Sequence, residues 1–314
     1  MYKKIIGLTM LGLSLAVLPA AFTPQATAAS QTQTVKNTAQ LDTLKVNVPA
    51  QVTVKAGNEF TVQSNFRDQQ KPHVTKKGDQ IEINIKDQKL WDQMNHSHSD
   101  KLKHKVVITL PQVTNPKSVK INAGTLDFKT PTPIQNFQAN SNAWDMTISK
   151  ANFKQAKLAS ESGDVNSNDS QLGTTMIKSE SGNVYLRNTK LQATQIESEA
   201  GNVLLEKVDS KQPLKINSNS GDINMKQVNL TKITLSSDDG DIETHNLIAK
   251  DLDFNSGAGN VAIDNQKAIT YDRVKLNTDS GAVQIKNAKI NHSKINADTG
   301  DVSLKHVNIK HKDN

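Results

Sequence analysis

Leu158-Ala159-Ser160-Glu161-Ser162-Gly163-Asp164-Val165 is a phrase that the chain repeats seven more times with small changes. A glycine stands at the same place in all eight copies: Gly163, Gly182, Gly201, Gly221, Gly240, Gly259, Gly281 and Gly300. The successive steps between these sequence numbers are therefore nearly constant, and only the step from Gly259 to Gly281 is clearly longer. Two degenerate copies precede them, with Gly124 and Trp144 at the glycine position. A period of about 20 residues predicts a solenoid of stacked coils.

Each position of the repeat has a constant chemical character. The residue five before the glycine is always apolar, the residue three before is always small, and the residue two after is always Val or Ile. Alternation with period two makes the first two positions inward-facing residues of a strand. The next inward position follows after an odd step of five, so the chain must turn a corner. Gly followed by Asp or Asn is typical of tight turns. We therefore predict that the eight glycines are structural turn residues.

A second apolar column lies nine residues after the glycine. Its members are Leu172, Leu191, Leu230, Ile290 and Ile309, with Ser210, Ala249 and Ala268 as weaker ones. One coil offers about three large apolar side chains, each contributing about 1.5–3 kcal/mol when buried. Ordering the backbone costs about 1–2 kcal/mol per residue, so a single coil cannot fold alone. The small column three before the glycine is interpreted as a place where neighbouring coils approach closely.

The predicted fold class is all-β: a single-chain β-solenoid of about ten coils of 19–22 residues, with an N-terminal β-rich capping region. Residues 1–28 are predicted to be a signal peptide, because Lys3 and Lys4 precede an apolar run that ends before Ala26-Thr27-Ala28. Residues 29–40 are expected to be a flexible leader, 41–121 the capping region and 122–314 the solenoid repeats. The predicted location is secreted or cell-surface. The chain has no cysteine, which excludes disulfide and thiol chemistry.

The order of the N-terminal strands, the segment Val106-Val107-Ile108-Thr109-Leu110-Pro111 and the repeated Ser-x-Ser-Gly-Asp-Val together resemble the bacterial putative-adhesin family. This family is a domain of unknown function, also called the toastrack domain. The resemblance runs from about Leu41 to the C-terminus. It implies an exported all-β solenoid linked to envelope surfaces, adhesion or envelope-stress sensing, and it implies no catalytic residues.

Positive charge is concentrated in the N-terminal part of the chain. Residues 30–121 carry 14 Lys and Arg against 8 Asp and Glu, whereas residues 122–314 carry 22 against 23. The candidate binding residues for an anionic polymer are Lys71, Lys76, Lys77, Lys101, Lys103 and Lys105. Expected partners are anionic cell-envelope polymers, a membrane surface or surface proteins. Ordinary solubilising lysines are the alternative explanation. No nucleic-acid recognition motif is present, so a nucleic-acid partner is not expected.

Two groups of side chains are candidate metal ligands. His96, His98 and His104 cluster in a polar loop and could form part of a zinc or copper site, because imidazole is a ligand for both metals. Incidental histidines in a polar loop are the favoured interpretation. A column of Asp and Glu stands two residues before most of the glycines, from Glu161 to Asp298. Calcium could relieve the repulsion between these carboxylates, and solvent screening could do the same. No cofactor is expected.

The predicted function is that of an exported, non-enzymatic, adhesin-like cell-envelope protein that binds surface polymers or partner proteins. The alternative is an envelope-stress sensor module that recognises anionic lipids or peptides. A polysaccharide-active enzyme is a third hypothesis, disfavoured because the acids follow the repeat and the aromatic residues are scattered. The last coil ends in Lys310-His311-Lys312-Asp313-Asn314. We therefore expect that end to be guarded by positive charge or used for self-association.

Overall fold

The computed structural model describes residues 31–36, 38–66, 70–87, 89, 91–92, 104–142 and 144–313. The first strands are β1 (Gln31–Val35), β2 (Thr43–Gly57), β3 (Phe60–Ser64), β4 (His73–Lys77), β5 (Gln80–Asn84), β6 (Lys105–Pro111), β7 (Ser118–Lys129), β8 (Pro133–Ser141) and β9 (Met146–Ser149). The middle strands are β10 (Asn152–Ser160), β11 (Val165–Asn168), β12 (Gln171–Ser179), β13 (Val184–Arg187), β14 (Lys190–Leu191), β15 (Thr194–Ser198), β16 (Val203–Glu206), β17 (Asp209–Ser210) and β18 (Leu214–Ser218). The last strands are β19 (Ile223–Asn229), β20 (Lys232–Ser237), β21 (Ile242–Ile248), β22 (Asp251–Ser256), β23 (Val261–Thr278), β24 (Val283–Ala297) and β25 (Val302–Lys312).

These strands form a β-solenoid of about ten coils, which confirms the predicted fold class. Each coil pairs in parallel with the coils before and after it, residue by residue at the sequence period. In one such ladder Leu158 lies beside Ile177, which lies beside Ile196. These side chains are all buried, so the inward columns read from the sequence form one continuous apolar core. Stacking therefore supplies the buried area that one coil lacks.

The glycine corner is required by the close approach of stacked backbones. A Cβ built on Gly201 would lie 2.1 Å from the carbonyl oxygen of Gly182, and the other repeat glycines meet the coil before them in the same way. All eight lie at a bend or beside one, but none has a φ in the left-handed region. The turn expectation therefore needs a different physical reason: glycine is present because no side chain fits, and not because the backbone conformation demands it.

The hydroxyl groups of the small column, three residues before the glycine, form hydrogen bonds at this corner. The Ser160 hydroxyl donates to the Gly163 carbonyl at 2.6 Å, and Ser218 donates to the Gly221 carbonyl at 2.7 Å. In a later coil the Thr278 hydroxyl reaches back to the Gly259 carbonyl at 2.9 Å. These hydroxyls are buried, so each satisfies a backbone carbonyl that the corner removes from the ladder.

The Asp and Asn residues that follow the glycines link neighbouring coils. The side-chain oxygen of each accepts a hydrogen bond from the backbone N–H of its counterpart in the next coil. Asp164 accepts from Asn183 at 2.8 Å, and Asn202 accepts from Asp222 at 2.8 Å. The series begins at Asp145 and ends at Ala282, which has no side-chain acceptor. This column therefore stabilises the stacking as well as the corner.

A second corner lies six residues after the glycine and was not predicted from the sequence. Its residues adopt left-handed conformations with φ between 47° and 55°: Lys150, Asp169, Asn188, Lys207, Gln227, Asn246, Asn287 and His306. Asn and Asp tolerate this conformation best, and non-glycine residues are uncommon there. Because the residues of this column are of mixed types, a search of the sequence for typical turn residues did not reveal it.

The long coil between Gly259 and Gly281 departs from the others on one side. Its ladder with β24 shifts register between Asp264 and Ile269, and Tyr271 then stands opposite Ile290 in the buried column. Ala268, which the sequence placed in that column, is exposed, so that assignment was wrong. The Tyr271 hydroxyl donates to the Leu247 carbonyl at 2.8 Å. Burial raises the pKa of Tyr271 to about 12.

The N-terminal strands continue the stack. β2 pairs in parallel with β7 on one side, and with β5 and β6 on the other. The remaining N-terminal strands pair antiparallel: β4 with β5, β3 with β6, and β1 with β3. Part of the expected flexible leader is thus a strand, since the backbone of Gln31–Val35 pairs with β3. β7 runs through the predicted boundary at residues 121 and 122, so the division into cap and repeats stays a prediction about folding units.

At the other end the apolar columns are open. Val302 and Leu304 occupy inward positions of the repeat, yet they are 46% and 44% exposed. β25 pairs with β24, and none of the residues that the structure describes covers its outer edge. Self-association through this coil stays a prediction.

Candidate binding groove

Charged side chains on the outer faces pair between coils. Lys178 lies 2.7 Å from Glu197, Lys286 lies 3.0 Å from Asp264, and the Arg273 guanidinium contacts Asp251 at 2.9 Å. The partners in each pair stand at the same position of consecutive coils. The Arg273 hydrogen bond lowers the pKa of the Asp251 carboxyl. Such exposed pairs are each worth little, and together they offset charge along the columns.

One stretch of an outer column carries three lysines without an acidic neighbour along the stack, namely Lys120, Lys157 and Lys215. A fourth, Lys45, stands between Lys120 and Glu82. In the repeats this column lies six residues before the glycine position, and the register between coils extends it to the N-terminal strands. The column runs through Lys45, Lys120, Gln138, Lys157, Met176, Gln195 and Lys215. The four lysines are exposed, and none forms an ion pair with another described residue. Lys45 and Lys120 stand directly opposite each other in the ladder, an arrangement of like charges that is destabilising. We call these four side chains the lysine column.

A groove of about 650 Å³ runs beside the lysine column across six stacked coils. It follows the place where the ladder between coils is interrupted, next to Gln155, Thr174 and Ala193 in successive coils. Most of its lining surface is apolar, with Phe137, Ala156 and Met176 among the residues on it. Lys120, Lys157 and Lys215 stand along one side. At about 4.8 Å per coil, the groove is about 24 Å long.

Of the lysines predicted from the sequence, the four that the structure describes, Lys71, Lys76, Lys77 and Lys105, do not line this groove. Lys76 and Lys77 lie on β4. Lys77 pairs with Gln80 of β5, which in turn pairs with Thr43 at the start of β2. Lys105 instead stands beside Gln51, eight residues further along β2. Lys71 is partly buried and precedes β4. Lys101 and Lys103 lie outside the described residues, so a cluster of all six stays a prediction.

The metal hypotheses gain no geometric support in the part of the chain that the structure describes. No group of three or more His, Asp or Glu side chains there could hold a metal ion, and this includes the acidic column. The ring of His104 stacks on Phe66 with 4.3 Å between centroids. His96 and His98 lie outside the described residues, as does the predicted signal peptide. The described residues include no helix long and apolar enough to span a membrane.

The sequence profile of the Toastrack family, DUF4097, matches residues 41–229 and 226–313. The chain belongs to the Toastrack family. No curated protein matches it. The family assignment confirms the resemblance drawn from the repeat phrase, and it brings no catalytic or binding residues.

Several solved structures are similar to this Toastrack chain. One is described as a putative adhesin from Parabacteroides distasonis, at 16% identity, covering 88% of this chain and 96% of that chain with a TM-score of 0.39. Another is a putative adhesin from Bacteroides fragilis, at 13% identity and 88% and 96% coverage, with a TM-score of 0.33. A third is described as a putative lipid binding protein from Parabacteroides distasonis, at 13% identity and 91% and 97% coverage, with a TM-score of 0.35. At these TM-scores the likenesses carry no functional argument.

Sequence reasoning missed the lysine column, although a signal was present. Lys157 and Lys215 stand six residues before Gly163 and Gly221, so reading outward positions by column would have found them. Lys45 could not have been placed there, because its neighbour Lys120 is distant in the chain and the two do not follow the repeat spacing.

Proposed function

We propose that this Toastrack chain is an exported, non-enzymatic, adhesin-like protein that binds anionic polymers of a cell envelope. The observation that carries the proposal is the lysine column. Several lysines elsewhere on the outer faces, among them Lys178, Lys275 and Lys286, are balanced by an acid at the same position of a neighbouring coil. In the lysine column the intervening residues are Gln138, Met176 and Gln195, so Lys120, Lys157 and Lys215 have no acid beside them in the ladder, whereas Lys45 has Glu82.

A linear polyanion suits this arrangement because the positive charges follow the solenoid axis. Lys45 and Lys120 are one coil apart, Lys120 and Lys157 two coils, and Lys157 and Lys215 three coils. These steps correspond to about 5, 10 and 14 Å. Binding one anionic chain along this line would also relieve the repulsion between Lys45 and Lys120.

The test is co-sedimentation of the protein with purified cell walls, and direct titration with inorganic polyphosphate. A variant with all four column lysines changed to Gln is expected to bind about 10-fold or more weakly, because each exposed charge contributes a fraction of a kcal/mol to about 1 kcal/mol. Raising the salt concentration from about 0.05 to about 0.5 M should weaken binding by the unchanged protein, because the Debye length shortens and the exposed lysines are screened.

A matched control loses the same charge at other exposed positions, through Lys226→Gln, Lys267→Gln, Lys289→Gln and Lys305→Gln. This control should keep most of the polyphosphate affinity. Equal losses in both variants would show that overall charge, and not the lysine column, governs binding.

A further inference from the structure

We propose that the groove beside the lysine column binds an anionic amphiphile, with its acyl chain along the apolar floor and its phosphate or carboxylate at Lys120 and Lys157. This inference rests on the proposed function in one respect, since the same lysines bind the anionic group. It adds a ligand class that a simple polyanion site would not need. Electrostatic binding of a polyanion alone does not require the mostly apolar surface that lines this groove.

The apolar surface of the groove occupies a definite place relative to the lysines. Phe137 and Ala156 are buried beneath the Lys120 and Lys157 end, with 2% of each exposed. Met176, Ala193 and Pro213 stand on successive coils beyond Lys157, and each is partly or fully exposed. An extended chain entering from Lys157 would therefore pass along apolar side chains until it reaches Lys215.

The dimensions agree with one acyl chain. From Lys157 to Lys215 the groove runs three coils, or about 14 Å. Two leaflets of acyl chains make a hydrocarbon core about 30 Å thick, so one chain spans about 15 Å. A groove of about 650 Å³ also lies within the range of ordinary ligand sites.

The charge also favours an anionic headgroup over a neutral one. Gln138 and Gln155 offer amide groups near the Lys120 and Lys157 end, and no carboxylate lines the groove among the described residues. Glu197 stands on the neighbouring outward position, but it is engaged by Lys178 at 2.7 Å and by the Gln195 amide at 2.7 Å. An anion at Lys120 and Lys157 would thus meet donors without a competing acid in the groove.

The experiment is calorimetric titration of the full chain with n-alkyl phosphates of four, eight and twelve carbons, each below its micelle concentration. A fully buried methylene strengthens binding about fourfold, so a half-open groove should give about twofold per methylene. Inorganic phosphate and polyphosphate report on the headgroup alone. Dodecyl maltoside supplies the same chain with a neutral head.

Two variants locate the site. Met176→Asn places a neutral amide on the apolar path beside Lys157 and is expected to reduce the gain per methylene while leaving polyphosphate binding within about threefold, because the charge of the column is unchanged. Lys120→Gln with Lys157→Gln should weaken dodecyl phosphate about 10-fold or more. Circular dichroism and thermal melting show whether each variant is folded. Ser236→Asn, at a partly exposed position on another column, is the control for an added amide.

The outcomes separate the two proposals. If polyphosphate binds and affinity for alkyl phosphates does not rise with chain length, the amphiphile proposal is wrong and the polyanion proposal stands. If neither class binds, both are wrong. Equal binding of dodecyl maltoside and dodecyl phosphate would refute the assigned role of Lys120 and Lys157.

Discussion

Replacing Gly201 with Ala should destabilise the solenoid strongly, although the change adds only one methyl group. The new Cβ would lie 2.1 Å from the Gly182 carbonyl oxygen and 2.5 Å from its carbon. Ordinary C···O contacts begin at about 3.3 Å, so the coils would have to separate locally by about 1 Å. That shift strains the hydrogen bonds from Glu199 to Ser179 and from Ala200 to Glu180, now 3.0 and 2.9 Å.

The expected loss is about 3–6 kcal/mol of unfolding free energy. Weakening two or three hydrogen bonds contributes about 1 kcal/mol each, and overpacking adds about 1–3 kcal/mol. Urea denaturation followed by circular dichroism measures the difference as a shift of the transition midpoint. Solenoid unfolding can be less than fully cooperative, so the midpoint of the first transition is the quantity to compare.

Gly78 supplies the control that tests the reasoning. Its φ is +56° and a Cβ there would meet nothing within 4 Å. Asn tolerates the left-handed region, so Gly78→Asn should cost less than about 1 kcal/mol, whereas Gly201→Asn should cost at least as much as Gly201→Ala. A Gly201→Asn protein clearly more stable than Gly201→Ala would refute the close-approach argument and restore the turn explanation.

Three further changes test other parts of the fold. Ile196→Asp should destabilise by several kcal/mol, because Ile196 is fully buried between Ile177 and Ile216; a thermal melt unchanged within two degrees would contradict this. At the second corner, Asn188→Val should cost about 1–2 kcal/mol and Asn188→Gly should be neutral or stabilising, as urea midpoints would show. Because the folded-state pKa of Tyr271 is raised to about 12, its contribution is fully present below about pH 10 and is lost as pH rises towards 12. That loss approaches about 2–3 kcal/mol in denaturation at high pH, and Tyr271→Phe should remove this component of the pH dependence.

The sequence alone determined the coil, its period and its inward faces. The reason is that every coil solves the same packing problem, so Leu158, Ile177 and Ile196 recur at one position where only an apolar side chain fits. The glycine corner was equally visible, although its cause was not. A small residue at a fixed place indicates a constraint without saying whether backbone conformation or a neighbouring coil imposes it.

Tertiary structure decided what depends on register between coils. The long coil shifts its ladder, so Tyr271 and not Ala268 enters the core. β2 stacks on β7 across a long connection, which brings Lys45 beside Lys120 and extends the lysine column beyond the repeats. Which outer side chains become neighbours is set by hydrogen bonding between segments that are far apart in the chain. The groove is lined by residues from six stacked coils, and no single coil contains it.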